Sequence, residues 1–91
     1  MNATHKPQSE FAKELKDAKS KVEIGAKYCH YKNKDNYLVL AIGFLEANDE
    51  PCVIYQAQYG ENIIFVRALS VWLEDVEFNN EIVPRFVKIE D

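Results

Sequence analysis

Residues 52–69, CVIYQAQYGENIIFVRAL, hold two short apolar runs on either side of a turn. In the first run, apolar or aromatic residues at every second position alternate with Ile54 and two glutamines. This period of two predicts a β-strand over residues 52–59, and the second run predicts another strand over residues 63–69. Gly60-Glu61 between them suits a two-residue hairpin, because glycine accepts the positive φ that hairpin turns need.

The same pattern of short runs and turns extends upstream. Lys27 to Lys32 predicts a first strand, and a polar turn over Asn33 to Asn36 separates it from Tyr37 to Leu45. This second run is nearly all apolar, so we expect a central strand that is buried on both faces. Gly43 is the expected position of a bulge or bend, since glycine within a strand often marks one.

Two further strands are predicted downstream of the hairpin. Val76 to Phe78 and Ile82 to Ile89 flank Asn79-Asn80, a pair that is typical of a type I′ hairpin. Pro84 interrupts the second of these strands. Because proline donates no backbone hydrogen bond, this strand is expected at a sheet edge or at a bulge.

The N-terminal part of the chain has a helical period instead. Its apolar stripe consists of Phe11, Leu15, Ala18 and Val22. This spacing predicts an amphipathic helix over about residues 9–22, with Ser9 as the capping residue. Residues 1–8 are expected to form a flexible tail, and the period changes from 3.6 to 2 at Gly25.

These patterns predict one mostly β domain over residues 9–91, with the helix first and the β part over about residues 25–89. Five or six short strands in meander order favour a small curved antiparallel sheet or a small SH3-like barrel. Closure into a barrel would remove the exposed strand edges that a small protein tolerates badly.

Seven side chains are expected to supply much of the core: Leu38, Leu40, Ile42, Val53, Tyr55, Phe65 and Trp72. Aromatic residues bury large areas, so they are well suited to stabilise so small a domain. Ser70 is suited to cap a single helical turn that places Val71 or Trp72 inward.

Composition excludes several classes of protein. The chain of 91 residues is 47% hydrophobic, which argues against general disorder. Its net charge of -4 makes double-stranded nucleic acid an unfavourable partner, because affinity for DNA comes largely from neutralised phosphates. Neither a membrane-spanning run nor a signal peptide is recognisable, so we expect no membrane association, a cytoplasmic location, and reduced thiols at Cys29 and Cys52.

No catalytic or cofactor motif is recognisable in the sequence. The nucleophile elbow GxSxG, the phosphate-binding loop GxxxxGK[ST] and the dinucleotide fingerprint GxGxxG are all missing. Two cysteines and two histidines without CxxC or HxxxH spacing do not indicate a zinc site. We therefore predict neither a cofactor nor a metal.

A set of short motifs follows in a fixed order along the β part of the chain. The motifs are Tyr28, His30-Tyr31-Lys32-Asn33, Tyr37 with Val39-Leu40, Val53-Ile54-Tyr55, Tyr59-Gly60-Glu61, Phe65-Val66-Arg67, Glu74, Val76 and Val83-Pro84-Arg85-Phe86. The ordered set resembles a bacterial family known only as domain of unknown function 1653. Ala68 follows Arg67 where that family usually has proline, and Trp72 stands where it more often has another apolar residue. The resemblance implies no established activity, but His30 and Arg67 lie within its clearest motifs.

His30 is the only histidine in the predicted β part of the chain. Its neutral-range pKa suits an acid, a base or a hydrogen-bond donor, and a structural bond to the backbone is the alternative. Tyr28 and Lys32 are expected on the same strand face as His30, because side chains two residues apart share a face.

Arg67 lies within an apolar strand, where an unpaired charge would be costly to bury. It is therefore expected either to form an internal ion pair with Glu74 or Asp75, or to offer its fork of donors to a carboxylate or phosphate. Arg85 has the same two alternatives and is expected to be more exposed. His30, Arg67, Tyr59 and Arg85 are predicted to border one anion-tolerant pocket.

Three functions are compatible with these residues. The first is a small binding module for an anionic ligand, a nucleotide or a peptide, with Tyr28 and Lys32 among its contacts. The second is a small enzyme in which His30 is the acid or base and Arg67 or Arg85 holds an anionic substrate. The third is a structural interaction protein, which docks or forms a homodimer through the apolar stripe of its N-terminal helix.

Overall fold

The computed structural model describes residues 5–89 of the chain. The elements are α1 (Gln8–Lys21), β1 (Lys27–His30), β2 (Asn36–Leu45), β3 (Glu50–Ala57), β4 (Ile64–Ala68), α2 (Leu69–Trp72), β5 (Asp75–Phe78), β6 (Glu81–Pro84) and β7 (Phe86–Lys88). Five strands form one antiparallel sheet in the order β4-β3-β2-β1-β7, and β5 and β6 form a small second sheet. The prediction of a mostly β fold with an N-terminal helix is confirmed.

The main sheet is open, so of the two predicted architectures the barrel is wrong. Within the described part of the chain, β4 and β7 are its two edges and do not pair with each other. The physical reason lies at Pro84-Arg85, where the predicted last strand is divided. Its first half, β6, pairs with β5, whereas its second half, β7, pairs with β1, so the last strand does not continue along one sheet to meet β4.

A bulge in β2 lies at Leu40 and not at Gly43. The pairing of β2 with β3 shifts between Val39 and Ala41, which inserts one unpaired residue. Val39 and Ile42 consequently face the same side although they are three residues apart, and both are buried. Leu40 is 36% exposed and Leu38 is only half-buried, so the expectation that this strand is buried on both faces is wrong.

The core lies on one face of the main sheet, under α1 and α2. Of the seven predicted core residues, Ile42, Val53, Tyr55 and Trp72 are buried. Phe65 is 42% exposed, because β4 is an edge strand with only one neighbour. Half of the remaining large core side chains are aromatic, and the set is Val22, Tyr28, Tyr37, Val39, Leu69 and Phe86.

Helix α1 packs its apolar stripe on the sheet of its own chain. Ala18 and Val22 are fully buried, Leu15 packs against the core, and the Phe11 ring contacts Phe44 edge-on with centroids 4.7 Å apart. The helix has fourteen residues, and no helix within residues 5–89 is long and apolar enough to cross a membrane.

The helix begins one residue before the prediction, and Ser9 does not cap it. Pro7 occupies the N-cap position without a side-chain hydrogen bond, and its carbonyl accepts from the Glu10 N–H at 2.9 Å. The proline ring restricts φ to the value seen at Pro7, −59°, and the Pro7 carbonyl accepts the first hydrogen bonds of the helix. Residues 1–4 of the predicted tail lie outside the described residues, whereas His5 and Lys6 contact the folded chain.

The two predicted hairpin turns have different outcomes. Asn79 and Asn80 have φ values of 53° and 66°, which are the two positive angles of a type I′ turn, so this hairpin is confirmed. Gly60 also has a positive φ, but β3 ends at Ala57 and β4 begins at Ile64. The predicted two-residue turn is therefore wrong, and the longer loop is closed by the Asn62 amide, which donates to the Ala57 carbonyl at 2.9 Å.

Both cysteines are free thiols in the structure. Cys29 lies on β1 and Cys52 on β3, so the whole of β2 separates them. Neighbouring strands are about 4.8 Å apart, and two thiols separated by an intervening strand are too distant for a disulfide. Burial raises the pKa of the Cys52 thiol, and the charge of Glu50 adds to the increase.

Candidate functional site

Four aromatic side chains form a floor on the core face of the sheet, which we call the aromatic floor: Tyr37, Tyr55, Trp72 and Phe86. The rings of Trp72 and Phe86 are stacked, with centroids 3.7 Å apart and planes 7° from parallel. Tyr55 contacts both rings edge-on, at 4.9 Å from Trp72 and 5.8 Å from Phe86. Helix α2 directly follows β4, and this connection places Trp72 over the sheet.

Arg67 extends over this floor from β4. It pairs with Val53 across the β3–β4 ladder, so its side chain is on the core face. Its Nε donates to the Tyr55 hydroxyl at 3.2 Å, and its Cζ lies 5.4 Å from the centre of the Phe86 ring, a cation–π contact. The side chain is half-buried.

The guanidinium of Arg67 has no carboxylate partner within residues 5–89. The internal ion pair with Glu74 or Asp75 that the sequence left open is therefore not formed. Glu74 instead pairs with Arg85, with 2.5 Å between Oε1 and Nη2. Because only Nε of Arg67 finds an acceptor among the described residues, its two terminal nitrogens are free to donate.

His30 also contacts the Phe86 ring. It pairs directly with Phe86 across the β1–β7 ladder, and the two rings meet edge-on with centroids 5.1 Å apart. The His30 Nδ1 accepts from the backbone N–H of Lys32 at 3.2 Å. The neutral imidazole therefore carries its proton on Nε2, which makes that nitrogen a donor.

Partial burial is the main cause that lowers the pKa of His30 below its usual value. The positive charges of Arg67, Arg85 and Lys32 lower it further, whereas the carboxylate of Asp35 opposes them. His30 is thus neutral at neutral pH and lies in a locally positive field. This field contrasts with the negative charge of the whole chain.

Tyr59 lies beside the aromatic floor and contacts Tyr37. Their hydroxyls are 2.9 Å apart and their rings meet edge-on at 5.7 Å, while Tyr59 remains 43% exposed. The hydrogen bond to Tyr37 and then burial raise the pKa of Tyr59 to about 12. Its hydroxyl therefore stays protonated at any physiological pH.

Three other predicted site residues occupy different positions. Tyr28 is buried against Trp72, and its hydroxyl accepts from the Glu23 N–H at 2.9 Å. Strand β1 ends at His30, so Lys32 lies in the following turn, and the predicted row of Tyr28, His30 and Lys32 on one strand face is wrong. Beyond its pair with Glu74, Arg85 donates from Nε to the carbonyl of Val71 at 3.1 Å, which holds the end of α2.

The sequence pattern did not identify Tyr55, Trp72 and Phe86 as site residues. The sequence predicts Tyr55 and Trp72 as core residues, and Tyr55 and Phe86 also belong to the motifs. The predicted hairpin could have identified Tyr55. A long side chain such as that of Arg67 reaches the residue two positions from its cross-strand partner. The place of Phe86 beside both His30 and Arg67 depends on the long-range β1–β7 pairing, which no local pattern indicates.

A concave region lies between α1 and the β2–β3 hairpin, and neither His30 nor Arg67 lines it. It has a volume of about 490 Å³, and its walls include Phe11, Leu15 and Phe44. His5 forms an ion pair with Asp49 at its rim, and its Nε2 lies 3.5 Å from Glu46 Oε2. The hydrogen bond to Asp49 is the largest of the causes that raise the pKa of His5.

The comparisons with known proteins agree with the resemblance in the motifs. Residues 26–88 match the model of the family described as protein of unknown function (DUF1653). A crystal structure of a DUF1653 protein from Bordetella bronchiseptica is similar, with a TM-score of 0.65 and 31% sequence identity over 71% of this chain and 85% of that chain. No curated protein matches the sequence. The chain therefore belongs to the DUF1653 family.

Proposed function

We propose that this domain is a binding module for a small anionic ligand, which pairs with Arg67 above the aromatic floor. The observation that carries the proposal is the half-buried guanidinium whose terminal nitrogens find no acceptor among residues 5–89. A positive charge that is partly removed from water is costly unless it is paired. An anion from solution would supply the missing partner.

The geometry around Arg67 suits recognition of a carboxylate or phosphate. The Tyr55 hydroxyl accepts from Nε, and the Phe86 ring contacts the guanidinium. Neither contact uses the terminal nitrogens. A guanidinium presents parallel N–H groups that match two oxygens of one anion. Because the side chain is already held, less conformational entropy is lost when the anion binds.

His30 supplies a second donor in this proposal. Its Nε2 carries the proton, because Nδ1 accepts from the backbone N–H of Lys32. The imidazole ring and the Arg67 guanidinium both contact the Phe86 ring. Tyr59, half-exposed beside Tyr37, provides an aromatic surface for the uncharged part of a ligand. Nucleotides and peptide carboxylates combine an anionic group with an uncharged part of this kind.

The alternative function is an enzyme in which His30 is the base and Arg67 holds the substrate. One observation favours it, because the lowered pKa leaves His30 unprotonated at neutral pH. A catalytic imidazole is commonly oriented by a carboxylate, and no carboxylate of residues 5–89 is hydrogen-bonded to His30. Binding is therefore the function that we favour.

The test is titration calorimetry at neutral pH with inorganic phosphate and with adenosine monophosphate. Binding of either probe should weaken at least tenfold in Arg67→Ala, and Arg67→Lys should recover only part of it, because lysine lacks the two-pronged donor. Lys13→Ala is the matched control, since it removes one positive charge from an exposed position on α1. Equal weakening in the control, or no binding of either probe to the wild-type chain, would overturn the proposal.

A further inference from the structure

Strand β4 is an edge of the main sheet and carries exposed apolar side chains. Ile64, Phe65 and Val66 are 55%, 42% and 63% exposed. An edge strand presents unpaired backbone groups to other chains, and proteins usually protect such edges with lysine or by keeping them short. The opposite edge, β7, has both protections, because it spans three residues and contains Lys88. Strand β4 is longer, at five residues, and has no lysine; its one charged side chain is Arg67, on the core face.

The hydrogen-bond pattern shows which backbone groups of β4 point outward. The Ala57 N–H donates to the Ile63 carbonyl at 2.9 Å, which makes residues 57 and 63 a hydrogen-bonded pair. Bonded and non-bonded pairs alternate along an antiparallel ladder, so Phe65 and Arg67 also direct their backbone groups to β3. The N–H and C=O groups of Ile64 and Val66, and the N–H of Ala68, therefore face away from the sheet.

We propose that two copies of this chain form a two-fold symmetric dimer by antiparallel pairing of their β4 strands, with the axis at Val66. In this register each Val66 exchanges two hydrogen bonds with Val66 of the second copy. The Ala68 N–H of each copy donates to the Ile64 carbonyl of the other. The Ala68 carbonyl remains available to the first turn of α2, for which Ala68 is the N-cap.

The side chains of β4 are self-complementary in this register. On the core face, Phe65 of one copy lies opposite Arg67 of the other, which pairs a cation with an aromatic ring twice. On the outer face, the two Val66 side chains lie together between Ile64 and Ala68. An axis at Arg67 would instead place two like charges directly opposite each other. Charge thus favours the axis at Val66.

The apolar stripe of α1 offers a poorer surface for a second copy, because Ala18 and Val22 are fully buried within the chain. A five-residue strand is about 17 Å long, and its pairing buries less area than a standard stable interface. We therefore expect a dimer that dissociates on dilution. The proposal does not depend on the anion site, and its test leaves Arg67 unchanged.

The test is sedimentation equilibrium of the whole chain from about 10 µM to about 1 mM. The wild-type chain should pass from monomer to dimer, and Val66→Lys should stay monomeric with an unchanged circular dichroism spectrum, because lysine blocks edge pairing. Val87→Lys is the matched control: Val87 is 51% exposed at the other edge, and this variant should dimerise like the wild type. A wild-type chain that stays monomeric throughout, or a Val66→Lys variant that still dimerises, would overturn the proposal.

Oxidative cross-linking tests the register. Val66→Cys should form a covalent dimer readily, since the two introduced cysteines meet at the axis. Ile64→Cys should cross-link no faster than the wild-type chain, which supplies the background from Cys29 and Cys52. Equal rates for the two variants would exclude an axis at Val66.

Discussion

At the scale of single residues, Arg67 and His5 differ in whether a carboxylate lies beside them. Arg67 has no carboxylate partner within residues 5–89 and lies near His30, whose pKa is lowered. His5 has two carboxylate neighbours, Glu46 and Asp49, and its pKa is raised. The pKa values of the two histidines are therefore shifted in opposite directions, and each shift can be measured separately.

Anion binding at Arg67 should strengthen as the pH falls. The positive charges around His30 contribute to its lowered pKa, and a bound anion would neutralise part of that field. The pKa of His30 then rises in the complex, so binding takes up protons. Affinity should increase as the pH falls from the His30 pKa in the complex to the lower His30 pKa of the free protein.

Calorimetry with sulfate checks this expectation, because sulfate does not titrate in this range. His30→Gln keeps a donor but does not titrate, and it should remove the pH dependence while retaining part of the affinity. A pH dependence that persists unchanged in His30→Gln would show that another group is responsible.

The contribution of His5 to stability should be lost as the pH rises. A folded-state pKa above the unfolded value means that the folded state binds the proton more tightly. This stabilisation is fully present below about pH 6.5 and disappears as pH rises through the raised pKa. Thermal midpoints of the wild type and His5→Gln should therefore differ most at mildly acidic pH and converge at alkaline pH. A difference that is constant with pH would contradict the assignment.

At the scale of elements, the position of a strand in the sheet decides what its side chains contribute. Phe65 lies on the edge strand β4 and is 42% exposed, whereas Phe86 on β7 is 7% exposed although β7 is also an edge. The difference arises because α2 places Trp72 on the Phe86 ring. An edge strand thus buries a side chain only where another element covers it.

Truncation of these two phenylalanines should have unequal effects on stability. Phe86→Ala removes the centre of the aromatic floor and should lower the free energy of unfolding by about 3–5 kcal/mol. Phe65→Ala, the matched control, should cost about 1 kcal/mol, since much of its ring is already in water. Chemical denaturation of both variants measures the two values. Equal losses would show that Phe65 is as much a part of the core as Phe86.

At the scale of the whole molecule, the domain consists of an open sheet with one face covered. Helix α1 covers the region of Ile42 and Phe44, whereas α2 contributes Trp72 to the aromatic floor. The other face of the sheet carries half-buried and exposed apolar residues such as Ile54 and Val66. The docking of α1 therefore stabilises only one of the two faces.

The covered face depends on Ala18 of α1, which is fully buried between the helix and the sheet. Ala18→Asp should lower the free energy of unfolding by about 3–5 kcal/mol, because it places an unpaired charge between helix and sheet. Ala12→Asp is the matched control on the same helix at an exposed position, and it should be nearly neutral. Denaturant titration with limited proteolysis of α1 would distinguish the two. A neutral Ala18→Asp would mean that the helix does not dock in solution.

Local periodicity by itself determined the mostly β class, the N-terminal helix and the Asn79-Asn80 hairpin. Each of these rests on residues that are close in sequence, whose side-chain spacing and φ preferences act before any tertiary contact forms. The motifs also identified the family. His30 and Arg67 were recognisable because a charged or titratable group within an apolar strand needs a partner.

Only the tertiary structure decided the open sheet, the bulge at Leu40 and the convergence of His30 and Arg67 on Phe86. These features depend on pairings between distant segments, above all β1 with β7, which local propensity does not encode. A one-residue bulge reverses which side chains face the core, so alternation along β2 could not place Leu38 and Leu40 correctly. The same long-range pairing leaves β4 at an edge, where its apolar side chains remain exposed.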